Sequence, residues 1–166
     1  MIGVGQPYRA DDGVGLLVAA RVAELARVDV LECRGDVLAL LDRWDAADAV
    51  VIIDAATATR QPGHIHRIDA SCGRLPCDVS FSTTHSVGVA DTIELARALG
   101  RMPARLIVYA VEGACFEPGA LMSAEVASAA GALPATIVAE VEKLRRESLA
   151  SGWGHAPRGK CSRMQD

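Results

Sequence analysis

Apolar positions along this chain alternate between two patterns. Short continuous runs suit strands buried on both faces of a sheet. Between them lie longer segments in which apolar residues recur every three or four positions, as on one side of a helix. Ile2–Gly5 reads as the end of a first strand. Gly13–Arg27 places Val14, Leu17, Val18, Val22 and Leu25 on one stripe and predicts a helix. Val28–Cys33 predicts a short second strand, and Asp36–Trp44 a helix with Asp36 at its N-cap. Ala49–Ile53 is wholly apolar and closes on Asp54, which predicts a fully buried strand. Residues 56–63 and 70–78 read as loops around His64–Asp69, a weaker alternating strand suited to an edge. Val89–Leu99 predicts a helix with Ile93, Ala96 and Leu99 inward and Gly100 as its C-terminal cap. Arg105–Val111 is the last clear strand. Ser123–Ala130 and Pro134–Leu149 predict two further helices, with Ser123 as an N-cap and Pro134 in a first turn.

Strands alternating with helices predict an α/β sandwich, a mostly parallel sheet between helix layers, with 64–69 running antiparallel. No repeat or second core is visible, so residues 1–150 are expected to form one domain. Residues 151–166 carry no periodicity and predict a flexible tail. Only Met1 and Ile2 precede the first turn, fewer than the ~5–6 residues of an ordinary central strand. A start upstream of Met1, or a clipped first strand, is expected.

Composition narrows the function classes. Half of the 166 residues are hydrophobic (51%), which suits a packed core rather than disorder. Aromatics make up only 4%, so Ala, Val and Leu must fill that core. A net charge of −4 argues against a general nucleic-acid binder. Charged residues interrupt the apolar stretches short of the ~20 residues a membrane span needs, and no signal segment opens the chain. A cytoplasmic protein with no membrane partner is expected. The five cysteines are irregularly spaced, and Cys72 and Cys77 lie too far apart for a zinc or redox pair, so reduced thiols are expected. Arg145, Arg146, Arg158, Lys160 and Arg163 read as a solvated basic end.

The chemistry concentrates at predicted strand ends, where open parallel sheets bind ligands. Gly3-Val4-Gly5 leads through a turn to adjacent carboxylates, Asp11 and Asp12, at the mouth of the first helix. Two like charges side by side are costly unless a cation, donors or water relieve them. Asp54 closes the second apolar run. His85 lies in Ser82-Thr83-Thr84-His85-Ser86-Val87-Gly88, just before a helix. Two carboxylates and one imidazole suit a divalent transition metal and leave coordination positions for water or substrate. Taken singly, Asp12 reads equally as a helix-end charge, Asp54 as a turn cap and His85 as a hydrogen-bonded loop residue. Asp11 is expected to support or cap rather than to react. His64 and His66 read as exposed strand residues, and Glu112 and Glu117 as solvated loop acids.

Four stretches in order resemble one family. They are Gly3-Val4-Gly5 through Asp11-Asp12-Gly13-Val14-Gly15, Ile52-Ile53-Asp54-Ala55, Thr83-Thr84-His85-Ser86-Val87-Gly88, and Val108-Tyr109-Ala110-Val111-Glu112-Gly113 through Phe116-Glu117-Pro118-Gly119 and Ser123-Ala124-Glu125-Val126. They resemble the nickel-iron hydrogenase maturation proteases over roughly residues 2–148. The resemblance implies an α/β/α sandwich around a five-stranded sheet, with Asp12, Asp54 and His85 at the family's three metal-binding, catalytic positions. It implies an endopeptidase that removes the C-terminal extension of a nickel-iron hydrogenase large-subunit precursor after nickel is inserted. The nickel is presented by that partner and need not reside in the free enzyme. The family's usual Asn after Gly-x-Gly is replaced here by Gln6-Pro7.

Three other readings compete. Gly3-x-Gly5 before a helix, with Glu32 ending the second strand, fits a dinucleotide-binding enzyme, but Tyr8 takes the third glycine's place and Asp11 and Asp12 would repel a pyrophosphate. A peptidyl-tRNA hydrolase-like enzyme shares the opening turn but lacks the His after it and sits poorly with the acidic balance. A non-catalytic binder of nickel or of a hydrogenase subunit would carry the same motifs.

Overall fold

The computed structural model describes residues 1–35, 37–44, 47–57, 60–73, 75–76, 79, 81 and 88–151. The elements run in the order β1 (Ile2–Val4), α1 (Val14–Leu25), β2 (Leu31–Cys33), α2 (Leu40–Trp44), β3 (Ala49–Thr57), β4 (Ile65–Asp69), α3 (Val89–Ala98), β5 (Arg105–Gly113) and α4 (Ala124–Ser151). Short 3-10 turns at Ala10–Gly13 and Val37–Ala39 lead into α1 and α2. The strands form one five-stranded sheet in the order β2-β1-β3-β5-β4. Four of them are parallel; β4 lies antiparallel to β5 at the edge, as its weaker pattern predicts.

Alternation along β3 and β5 explains the layers. Val50, Ile52, Leu106 and Val108 face one side, where α2 and α3 cover them with Leu40, Leu41, Trp44, Val89 and Ile93. Val51, Ile53, Ile107 and Tyr109 face the other, under Val14, Val18 and Val22 of α1 and Val126, Leu133 and Ile137 of α4. Burying each large aliphatic side chain contributes about 1.5–3 kcal/mol, which is why a core poor in aromatics still closes.

Several boundaries move. β2 is confined to Leu31–Cys33, because Val28 and Val30 pack from outside the ladder. β3 continues past Ile53 to Thr57, so Asp54 lies within the strand, paired with Ala110, instead of ending it. β5 likewise continues through Glu112 to Gly113. Asp36, the predicted cap of the second helix, lies outside the described residues, as does the predicted tail from 152 onward. The cap at Gly100 holds: Gly100 (φ +68) donates to the Arg97 carbonyl and Arg101 to that of Ala96.

The helices predicted at Ser123–Ala130 and Pro134–Leu149 are not separate. They are one continuous helix, with Pro134 inside it. A proline cannot donate to the carbonyl four residues back, and an unmet carbonyl ordinarily breaks or bends a helix there. Here Arg21 of α1 donates its Nη1 to that same carbonyl, Ala130, at 2.8 Å. A side chain from a neighbouring helix thus replaces the missing bond. By length and composition α4 is apolar enough to cross a membrane, contrary to the interrupted runs expected from sequence, but Val126, Ala130, Leu133 and Ile137 lie buried in the core.

Candidate active site

The sheet's carboxyl-terminal edge gathers the charged residues. At the end of β1 the chain reverses at Gly5, whose φ is +138. Its backbone N–H donates to the Cys33 carbonyl at 3.0 Å. A Cβ there would stand 1.8 Å from the Asp12 carbonyl oxygen, so only glycine fits. The chain then enters the Ala10–Gly13 turn through Ala10, a buried non-glycine residue at φ +49, a left-handed conformation costing about 1–2 kcal/mol.

Two adjacent acids in this turn do different work. Asp11 is fully buried and accepts four hydrogen bonds. Its Oδ1 takes the Ser123 N–H at 2.7 Å, and its Oδ2 the Ala114 and Cys115 N–H groups at 2.8 and 2.9 Å and the Ser123 hydroxyl at 3.0 Å. It therefore bolts the segment between β5 and α4 to the turn, the supporting role the sequence gives it. Ser123 spends its hydroxyl on Asp11, not on capping α4, although its carbonyl accepts the Ala127 N–H. Asp12, 1% exposed, accepts the Gln6 N–H on Oδ2 at 3.1 Å. It does not cap α1, which has no side-chain cap bond.

Close packing brings Asp12 to Asp54. The first turn of α1 presses so tightly on the sheet that a Cβ on Gly15 would meet the Val4 and Ile53 carbonyl oxygens at 2.2 and 2.3 Å. Asp54, 3% exposed, accepts the Ala55 N–H on Oδ1 at 2.8 Å. Burial pushes its carboxyl up from 3.8 to about 8; the Ala55 bond opposes that rise, and the negative charge of Asp12 adds to it. At neutral pH Asp54 holds its proton while its neighbour repels further negative charge. Two buried carboxyl groups that feel each other's charge, with that of Asp54 raised, can take up a cation or exchange a proton with water.

His85 lies outside the described residues, so its meeting with Asp12 and Asp54 belongs to the functional reading below. The chain reaches its segment from Phe81, which bridges Ala56, two residues beyond Asp54. It leaves at Gly88, whose N–H donates to Asp91 at the head of α3. Among the described residues, no three His, Cys, Asp or Glu side chains form a metal-binding group.

A family model described as HycI, hydrogenase maturation protease, matches residues 17–140. The chain belongs to the hydrogenase maturation protease family. The matched stretch contains Asp54 and His85 and starts beyond Asp12. No curated protein matches in sequence. Among solved structures, the [NiFe] hydrogenase maturation protease HybD from Thermococcus kodakarensis is 24% identical with a TM-score of 0.67, over 84% of this chain and 95% of that one. The hydrogenase maturating endopeptidase HybD from E. coli is 18% identical, TM-score 0.67, over 86% and 90%. The [NiFe] hydrogenase maturation protease HycI from Thermococcus kodakarensis KOD1 is 22% identical, TM-score 0.64, also over 86% and 90%. At these identities the likeness establishes the fold shared with maturation proteases.

In this maturation protease, two residues differ most from their sequence reading. Glu112 is not solvated: it is 0% exposed inside β5. Its Oε2 accepts the Arg60 and Gln61 N–H groups, both at 2.9 Å, and its Oε1 lies 2.8 Å from His66 Nε2. His66 is correspondingly only 13% exposed in its side chain, with His64 edge-on against it at 4.6 Å between ring centres. The sequence signal was an acid ending an apolar run together with a histidine on an edge strand, and only the β4–β5 pairing joins them.

Proposed function

We propose that this maturation protease removes the C-terminal extension of a nickel-iron hydrogenase large-subunit precursor, and that Asp12, Asp54 and His85 recognise nickel carried by that precursor. The observation that carries this reading is the buried Asp12–Asp54 pair at the sheet's carboxyl edge, with the Asp54 carboxyl pushed up to about 8. Such a pair suits a cation that arrives with the substrate. Positive charge relieves the repulsion between the acids and takes the place of the Asp54 proton. Family membership supports the protease class.

Nickel on the precursor would supply a positive charge that polarises the scissile carbonyl or a water beside it. The chain's own groups do the rest. Asp12 and Asp54 fix the bound end of the substrate, and burial excludes bulk water from between them. One of the two carboxylates takes a proton from the attacking water, and the proton passes to the leaving nitrogen. The C–N bond breaks, leaving a new carboxyl terminus on the large subunit and a free extension peptide.

Incubation with a nickel-loaded precursor, read by intact mass, tests this. The wild-type chain should shorten the precursor. Asp54→Asn, Asp12→Asn and His85→Ala should lower the rate by at least ~100-fold with unchanged circular dichroism. Full cleavage by Asp54→Asn overturns the assignment. A wild-type chain that binds precursor without cutting it makes the protein a non-catalytic subunit binder.

A further inference from the structure

The β-sheet register places a second pair of groups beside the acid pair. Ala110 of β5 is the register partner of both Asp54 on β3 and His66 on β4. Asp54, Ala110 and His66 therefore form one row across the sheet. Glu112 pairs with Ala56, two residues beyond Asp54 on β3, so by strand alternation it shares the Asp54 face. His66 reaches it there at 2.8 Å.

Glu112 also governs the segment that follows β3. Its side chain accepts the Arg60 and Gln61 N–H groups, its carbonyl accepts the Gly63 N–H at 2.7 Å, and its N–H donates to the His64 carbonyl at 2.9 Å. On the far side, a Cβ on Gly63 would stand 2.7 Å from the Glu125 carbonyl of α4, so the segment is held between β5 and the start of α4. Arg60 and Gln61 are exposed residues whose amides nevertheless turn inward to Glu112. A fully buried carboxylate is a costly way to satisfy them. What it achieves is to fix where residues 60–64 run, immediately downstream of Asp54 and beyond the carboxyl ends of the strands.

We propose that Glu112 and His66 are positioning residues of this site, which set residues 60–64 as the wall against which the precursor's chain lies. This rests on the protease reading above. His66 holds one oxygen of Glu112, leaving the other for the two loop amides. Neither residue touches the reacting atoms. Their loss should weaken substrate engagement and leave the chemical step alone.

The test compares the full-length wild-type chain with Glu112→Ala, Glu112→Gln and His66→Gln, using nickel-loaded precursor well below each variant's melting temperature. Glu112→Ala should raise KM about tenfold or more with kcat within about threefold. Glu112→Gln, whose carboxamide oxygen can still accept from both amides, should recover most of that loss, and His66→Gln should fall between. Unchanged KM in folded Glu112→Ala overturns the proposal, as does a Glu112→Gln no better than Glu112→Ala. If Glu112→Ala fails to fold, Glu112→Gln and His66→Gln decide: a raised KM in His66→Gln, with kcat within about threefold and Glu112→Gln nearer to wild type, supports the proposal, and an unchanged KM in His66→Gln overturns it. A wild-type chain that cleaves no precursor removes the protease reading and this one with it. A wild-type chain that cleaves, beside a Glu112→Ala of wild-type KM, removes this one alone.

Discussion

Asp54 shows what burying one acid costs. Its carboxyl is raised from 3.8 to about 8 in the folded chain. Between those two values the folded state binds more protons than the unfolded state, so stability falls as pH rises through that window, by at most about 1.4 kcal/mol per pH unit. Asp54→Asn should remove this slope. It should melt higher than the wild-type chain at pH 8 and within about 1 kcal/mol of it near pH 4. Thermal melts across pH check this, and parallel slopes for the two chains would refute it. On the proposed function the same substitution should lower cleavage by at least ~100-fold, and there the acid would trade stability for activity. At this scale the sequence singled out Asp54, which closes an apolar run, and Asp12, beside a glycine turn, and both are buried at the sheet's carboxyl edge. Glu112 closes an apolar run in the same way, but its partners lie 46 to 52 residues away, so its buried hydrogen bonds could not be read locally.

Elements were legible where periodicity was strong and ambiguous where one residue decides. Pro134 after an apolar segment reads locally as a helix start, and only Arg21 from α1 lets the helix run through. Arg21→Met should therefore cost about 1–2 kcal/mol, because it strands the Ala130 carbonyl. In a Pro134→Ala background the helix supplies its own N–H to that carbonyl, and the same change should cost less than half as much. Urea unfolding of the four chains gives the coupling directly, and equal costs in both backgrounds would refute the exchange of bonds. The strand ends were misplaced for a related reason. Asp54 and Glu112 look like terminators in an apolar run, yet ladder pairing to Ala110 and Ala56 carries the backbone past them.

At the scale of the molecule, alternation of strands and helices gave the α/β/α layering, the mostly parallel sheet and the antiparallel edge, because each follows from periodicity and burial on two faces. What fastens that edge was hidden. Arg67 of β4 grips Glu140 of α4 with two bonds, at 2.6 and 2.9 Å, and Tyr109 of β5 donates its hydroxyl to the same carboxylate at 3.1 Å. The Arg67 guanidinium holds the Glu140 carboxyl below its ordinary 4.5, and burial beside Glu140 pushes the Tyr109 hydroxyl up to about 12. A lowered carboxyl contributes stability that is present above its unfolded value and lost as pH falls through its folded one. Glu140→Gln should thus destabilise by about 1–3 kcal/mol at pH 7, and the gap should close as the solution is acidified below 4.5. Denaturant melts at the two pH values check this, and a gap that persists in acid would count against it.

The seat of α1 on the sheet has one more consequence. With no room for even a methyl group between residue 15 and the Val4 and Ile53 carbonyls, the separation of the two acids is governed by volume at a point that has no reactivity. An alanine there would act as a shim, levering the helix mouth off the strand ends and drawing Asp12 away from Asp54 without removing either acid.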